Sequence, residues 1–199
     1  MAAAMTVLAS APTLGQAPFW YLTRSTGVVA FVLLTLTMAF GVAATHRAVA
    51  APRWPRFATQ HLHRNLSLLG VAFLVVHVVT TVVDGYAPIG WWAAVVPLAS
   101  RYRTLGVSLG TLASDLMLVL LVTSAWRTRL PQRLWRVVHL AAYGLWPLAW
   151  VHFLTTGTDA GWSGVGLWIA VVSLLVVVAA SAVRWVTREG ARGPVASLR

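Results

Sequence analysis

The chain contains no cysteine and no lysine, and only four acidic residues. Without cysteine it can form no disulfide, no thiolate-held zinc site and no iron–sulfur cluster. Charged residues make up 10% of its 199 positions, against about 25% in an ordinary soluble domain. So few charges cannot cover a surface that faces water, which excludes a soluble globular fold. Hydrophobic residues make up 59%, and the length suits one compact membrane bundle. Every basic residue is arginine, and the net charge is +11. A basic excess can signal nucleic acid. Here the arginines stand between apolar runs, so they read as topology signals and no nucleic-acid partner is expected. The first 20 residues have neither a basic start nor a long apolar core, so no cleaved signal peptide is expected.

Five apolar runs follow: about 26–44, 60–83, 105–126, 134–154 and 164–186. Each has roughly the 20 residues that a helix needs to cross the hydrocarbon layer. The expected fold class is therefore all-α, an integral membrane helical bundle with about five transmembrane helices. Residues 84–103 contain Pro88, Trp91, Trp92 and Pro97. They read as a short interfacial segment on the outer side. The division expected is an N-terminal segment 1–20, a membrane domain 21–187 and a cytoplasmic tail 188–199.

Orientation follows from the arginines. Arg47, Arg53 and Arg56 follow the first run, Arg127, Arg129 and Arg133 follow the third, and Arg188, Arg192 and Arg199 lie in the tail. These three segments share one side, and the positive-inside rule makes it the cytoplasm. The N-terminus is then outside and the C-terminus inside, with a bacterial cytoplasmic membrane as the expected location.

Histidines carry the chemistry. His63 and His77 lie in the second run, 14 apart, and His139 and His152 lie in the fourth, 13 apart. Both runs travel from inside to outside. His63 therefore matches His139 in depth near the inner face, and His77 matches His152 toward the outer face. At about 1.5 Å per residue the two levels are roughly 20 Å apart. Two parallel helices thus offer two imidazole pairs, which is what two bis-histidine haems need. Polar groups at that depth are costly and mark function; the plain alternative is hydrogen bonding between helices. A spacing of 14 returns to within about 40° of one helix face, whereas 13 misses by about 140°. Pro147 lies between His139 and His152 and can bend the helix. His46 and His61 read as interfacial. His61 is the rival to His63, but a spacing of 16 to His77 puts it about 160° off the face. Zinc needs ligands clustered on one ion, and one ion cannot use both levels.

The His pairs, the stretch Trp135-Arg-Val-Val-His139-Leu-Ala-Ala-Tyr143 with His152, and the elements Thr104-Leu-Gly106 and Thr123-Ser124 together resemble the ferric-reductase-like transmembrane domain family. That family includes NADPH oxidases, ferric reductases and the haem subunit of bacterial methionine sulfoxide reductase systems. The resemblance spans about residues 20–186. It implies haem ligation by His63, His77, His139 and His152. It also implies electron flow from a cytoplasmic reductant, through inner and then outer haem, to an outside acceptor. No dinucleotide fingerprint follows the last run, so the flavin domain of NADPH oxidases has no counterpart in this sequence.

The function expected is a b-type cytochrome with two haem b groups, inner on His63/His139 and outer on His77/His152. It would pass electrons to ferric iron, oxygen or a partner protein outside. Membrane lipid and a separate cytoplasmic flavin reductase or quinol donor are the expected partners. A quinol-fed haem subunit for a periplasmic oxidoreductase, and a non-redox scaffold or transporter, stand as alternatives. Arg64, Arg133 and Arg136 near the inner level, and Arg101 and Arg103 near the outer, are candidates for haem propionates; topology alone also explains them. Trp135, Trp146 and Trp150 are candidates to pack on porphyrin, and Gly70 and Gly144 to make room for it. Asp115 reads either as a mid-membrane proton group or as a carboxyl bonded to Ser114, Thr111 or a neighbouring helix.

Overall fold

A computed structural model describes residues 17–44, 56–84, 87, 89–157 and 164–190. His46, Arg47, Arg53, Arg192 and Arg199 lie outside the described residues. The elements are α1 (Ala17–Ala44), α2 (Arg56–Val83), α3 (Thr104–Ala125), α4 (Gln132–Leu140), α5 (Ala142–Thr156) and α6 (Val165–Gly190). A single 3-10 turn at Trp91–Ala94 lies between α2 and α3. Among the described residues there is no strand. Five stretches of 22–27 residues are long and apolar enough to cross a membrane, with α4 and α5 forming the fourth. The fold is therefore an all-α membrane bundle.

Hydrocarbon offers the backbone no water, so each crossing segment must pair its own peptide groups as a helix. Several serines and threonines inside the helices follow the same rule. Thr35 donates to the Phe31 carbonyl at 3.0 Å, and Thr80 to the Val76 carbonyl at 2.8 Å. Such bonds to the preceding turn satisfy these hydroxyls within their own helix. Leucines and valines such as Val75, Leu118, Val172 and Leu175 are exposed on the outer surface of the helices. In a membrane protein that surface meets acyl chains.

α1 packs along α2, α3 packs along α5, and α6 lies against α1. The core sits where α1 meets α5. Trp146 is 6% exposed there, stacks on Phe31 and donates to the Thr35 hydroxyl at 3.1 Å. Trp150 donates to the Ala170 carbonyl at 3.0 Å and so ties α5 to α6.

Two features differ from the sequence expectation. The first helix starts at Ala17 rather than near residue 26. Aromatic residues Phe19, Trp20 and Tyr21 extend it as an interfacial belt would. Arg24, which precedes the apolar run 26–44, lies inside α1 with its guanidinium over the Trp20 ring, 4.3 Å from the centroid. The second difference lies in the fourth span. Its interruption is at Ala141, between α4 and α5, while Pro147 sits within α5. Ala141 donates to Val138 and Gly144 to Ala141, both at 2.9 Å. These bonds over three residues tighten the turn to about 120° per residue instead of about 100°. The tighter turn works against the angular mismatch of a 13-residue spacing.

In the connection between α2 and α3 the described residues hold one helical turn, Trp91–Ala94. Trp91 and Trp92 are exposed, while Ala93 is buried and its carbonyl accepts from the Thr111 hydroxyl at 2.6 Å. The Leu98 N–H donates to the Ser108 hydroxyl at 2.8 Å. Both bonds fold the segment onto α3.

Candidate functional site

Three of the four paired histidines are held in the same way. His63 Nδ1 lies 2.9 Å from the Thr37 carbonyl, His77 Nδ1 lies 2.8 Å from the Thr23 carbonyl, and His152 Nδ1 lies 2.7 Å from the Gly106 carbonyl. A carbonyl only accepts, so each Nδ1 carries the proton and each Nε2 keeps its lone pair. A neutral imidazole in that tautomer is a metal ligand with its outer support already in place.

Each of these rings also rests on a glycine one helical turn beyond the accepting carbonyl. A Cβ added to Gly41 would come within 3.1 Å of the His63 ring, on Gly27 within 2.8 Å of His77, and on Gly110 within 2.5 Å of His152. The glycines therefore let the rings approach the neighbouring backbone closely enough to make the bond. On α1 the pattern repeats 14 residues on, as Thr23-x-x-x-Gly27 and Thr37-x-x-x-Gly41, matching the 14 between His63 and His77.

The rings meet in pairs across the bundle. His63 and His139 have centroids 6.3 Å apart with planes at 70°, and His77 and His152 have centroids 6.4 Å apart at 75°. A metal–imidazole bond is about 2 Å, with the ring centre about 1 Å behind its nitrogen. Two imidazoles on opposite sides of one iron therefore have centroids roughly 6 Å apart, and both pairs fit that spacing. Fourteen residues of α2 separate the levels by about 21 Å. Among the described residues no group of three or more histidine or acidic side chains could hold a metal. The pairs thus suit a cofactor that brings its own equatorial ligands, and do not suit a closed zinc site.

A cavity of about 1640 Å³ joins the two levels. A pocket for one small molecule is typically about 300–1,000 Å³. Apolar side chains such as Phe31, Leu34, Leu74, Ala113, Met117 and Leu145 line it as well. Its charged lining residues are Arg24, Arg64, Asp84 and Arg127. Of the expected propionate partners, Arg64 lines the cavity and Arg136 does not, and both are exposed. Arg133 and Arg101 are also exposed and outside the lining, and Arg103 donates to the Thr155 carbonyl at 2.8 Å, at the end of α5. Arg24 and Arg127 belong to the lining and were read from the sequence only as topology signals.

The remaining candidates separate clearly. His61 lines the cavity at its edge but is exposed, with its ring edge-on to Phe57. Trp135 lines the cavity and stacks on His139, centroids 4.9 Å apart at 20°. Trp146 and Trp150 do not line it. A Cβ on Gly144 would meet nothing within 4 Å, and one on Gly70 only ordinary contact with Leu33. The glycines that matter are Gly27, Gly41 and Gly110, which were not singled out from the sequence. Asp115 lies outside the cavity lining, and the Ser114 and Thr111 hydroxyls expected to hold it donate to backbone carbonyls instead.

Comparison with curated proteins and with solved structures returns no match. The family model described as ferric reductase like transmembrane component matches residues 26–150, which include His63, His77 and His139 and stop two residues short of His152. That match covers more than half of the chain and takes in α2, α3 and α4, so the protein belongs to the ferric reductase-like transmembrane component family.

Proposed function

We propose that this chain is a transmembrane b-type cytochrome, with one haem held by His63 and His139 and a second by His77 and His152. The observation that carries the reading is the pair of imidazole–imidazole spacings, 6.3 and 6.4 Å, at two levels of one cavity. Membership of the family supports it, because that family is typically haem-binding. Haem, when bound, supplies a one-electron carrier at each level.

The chain's own residues do the rest. The imidazoles of His63, His77, His139 and His152 would hold the two groups through Nε2. The carbonyls of Thr23, Thr37 and Gly106 fix the tautomer and orientation of three of them. Arg64 and Arg127 supply positive charge to acidic edge groups at the His63–His139 end. The apolar helices keep water out of the middle. Two histidines on each group would leave no ligand position for a substrate, so an acceptor would be met at the outer end of the cavity.

The arginine distribution makes the His63–His139 end cytoplasmic. Electrons then enter there, from a separate flavin reductase or a quinol, and leave on the outer side to ferric iron, oxygen or a partner protein. The membrane domain of this reading is 21–187, with the tail 188–199 inside the cell.

The test is a reduced-minus-oxidised spectrum of the purified full chain with a pyridine haemochrome count. Two haem b per chain are expected. A colourless chain contradicts the reading, and one haem per chain contradicts its two-centre form.

A further inference from the structure

The four histidines are not held alike. His63, His77 and His152 each give their Nδ1 proton to a backbone carbonyl. The Nδ1 of His139 is buried and has no hydrogen-bond partner among the described residues, and the same is true of Nε1 of Trp135 stacked against it. α3 differs between the two levels. That helix opens with Gly106-x-x-x-Gly110, the carbonyl and glycine that hold His152. Fourteen residues on, where α1 repeats its own pattern, α3 carries Leu120 and Ser124. Thirteen residues on, it carries Val119 and Thr123. At either offset a side chain stands where a glycine would have to be. The Val119 and Leu120 carbonyls already accept from the Thr123 hydroxyl, at 2.7 and 3.3 Å. His139 thus lacks, among the described residues, the backbone acceptor that the other three have, and α3 has no glycine at the matching offsets.

We propose that this missing support makes the two centres unequal: the His63–His139 centre holds its haem less tightly, and at a more positive potential, than the His77–His152 centre. The inference rests on the two-haem reading above. An Nδ1–H bonded to a carbonyl makes the imidazole a stronger electron donor, which favours ferric over ferrous iron. The His77–His152 centre has two such bonds and the other has one. A ligand whose outer nitrogen is unpaired is also not fixed in the ligating tautomer, and loses part of its affinity. Charge acts in the same direction. The cavity lining has Arg64 and Arg127 near the His63–His139 level, and both Arg24 and Asp84 near the other. Positive charge favours the ferrous form. Outer-shell partners change affinity about 10- to 100-fold, and a tenfold change is about 59 mV for one electron.

The experiment is a potentiometric titration of the full chain in detergent, with haem release to an excess of scavenger followed in parallel. Two one-electron steps are expected, separated by about tenfold or more in equilibrium constant. His139→Ala should leave only the lower step, and His152→Ala only the upper. If either variant loses both haems, Arg127→Gln assigns the steps by lowering the upper one alone. Ser124→Gly, which opens the blocked seat, should lower the upper step, slow release of that haem and leave the lower step in place. Two coincident steps, the reverse assignment, faster release from the His77–His152 centre, or no response of the upper step to Ser124→Gly overturns the inference while leaving the two-haem reading intact. A chain with no haem or one haem overturns both.

Discussion

Gly110 of α3 and His152 of α5 are so close that a Cβ on the glycine would lie 2.5 Å from the imidazole. The same ring bonds the Gly106 carbonyl one turn earlier. Gly110→Ala must therefore push the ring off its carbonyl and away from His77. The expected result is loss of one haem per chain, the one on His77 and His152. Gly27→Ala, at 2.8 Å, should act on the same haem, and Gly41→Ala, at 3.1 Å, should weaken the other more mildly. Gly144→Ala, with open space around it, should leave both. Haem per chain in the four variants checks this order, and outer-shell losses of about 10- to 100-fold in affinity set its scale.

These glycines show what the sequence could and could not disclose. The five spans were legible because hydrocarbon imposes length and composition on any helix that crosses it. The pairing of His63 with His139 and of His77 with His152 was legible because chain direction alternates from span to span. A glycine's task depends on which ring faces it from another helix, and one chain's periodicity does not carry that. The usable signal was the repeat of Thr-x-x-x-Gly at the interval that also separates His63 and His77. The break at Ala141 had no local mark at all, since neither glycine nor proline stands there. Before it, α4 brings Trp135 and His139 to the cavity while Arg133 and Arg136 stay exposed.

The imidazole planes cross at 70° and 75°. Parallel imidazoles split the two iron orbitals that overlap with their π systems, whereas crossed ones leave those orbitals close in energy. Each ferric centre should therefore give a strongly anisotropic low-spin signal in electron paramagnetic resonance. A rhombic spectrum of the parallel-ligand kind would show that the rings turn when haem binds.

Trp146 and Trp135 should behave differently despite their closeness in sequence. Trp146→Phe removes the bond to Thr35 inside the helix packing and leaves the cavity lining untouched. It should cost about 1 kcal/mol of stability with haem content unchanged. Trp135→Ala removes the ring stacked on His139 and should lower retention of that one haem. Thermal unfolding read beside haem absorbance separates the two effects.

His61→Ala should keep both haems, because His61 is exposed and packs on Phe57 rather than on a second histidine. Equal loss in His61→Ala and His63→Ala would return His61 to the ligand set.

Haem content across paired substitutions bears most directly on the two-level arrangement. Each of His63→Ala, His77→Ala, His139→Ala and His152→Ala should leave one haem per chain. The double variant at His63 and His139 should still leave one, because both changes fall on one centre. The double variant at His63 and His77 should leave none. Retention of a haem in that last variant, or its loss in the His63–His139 double, would contradict pairing by depth.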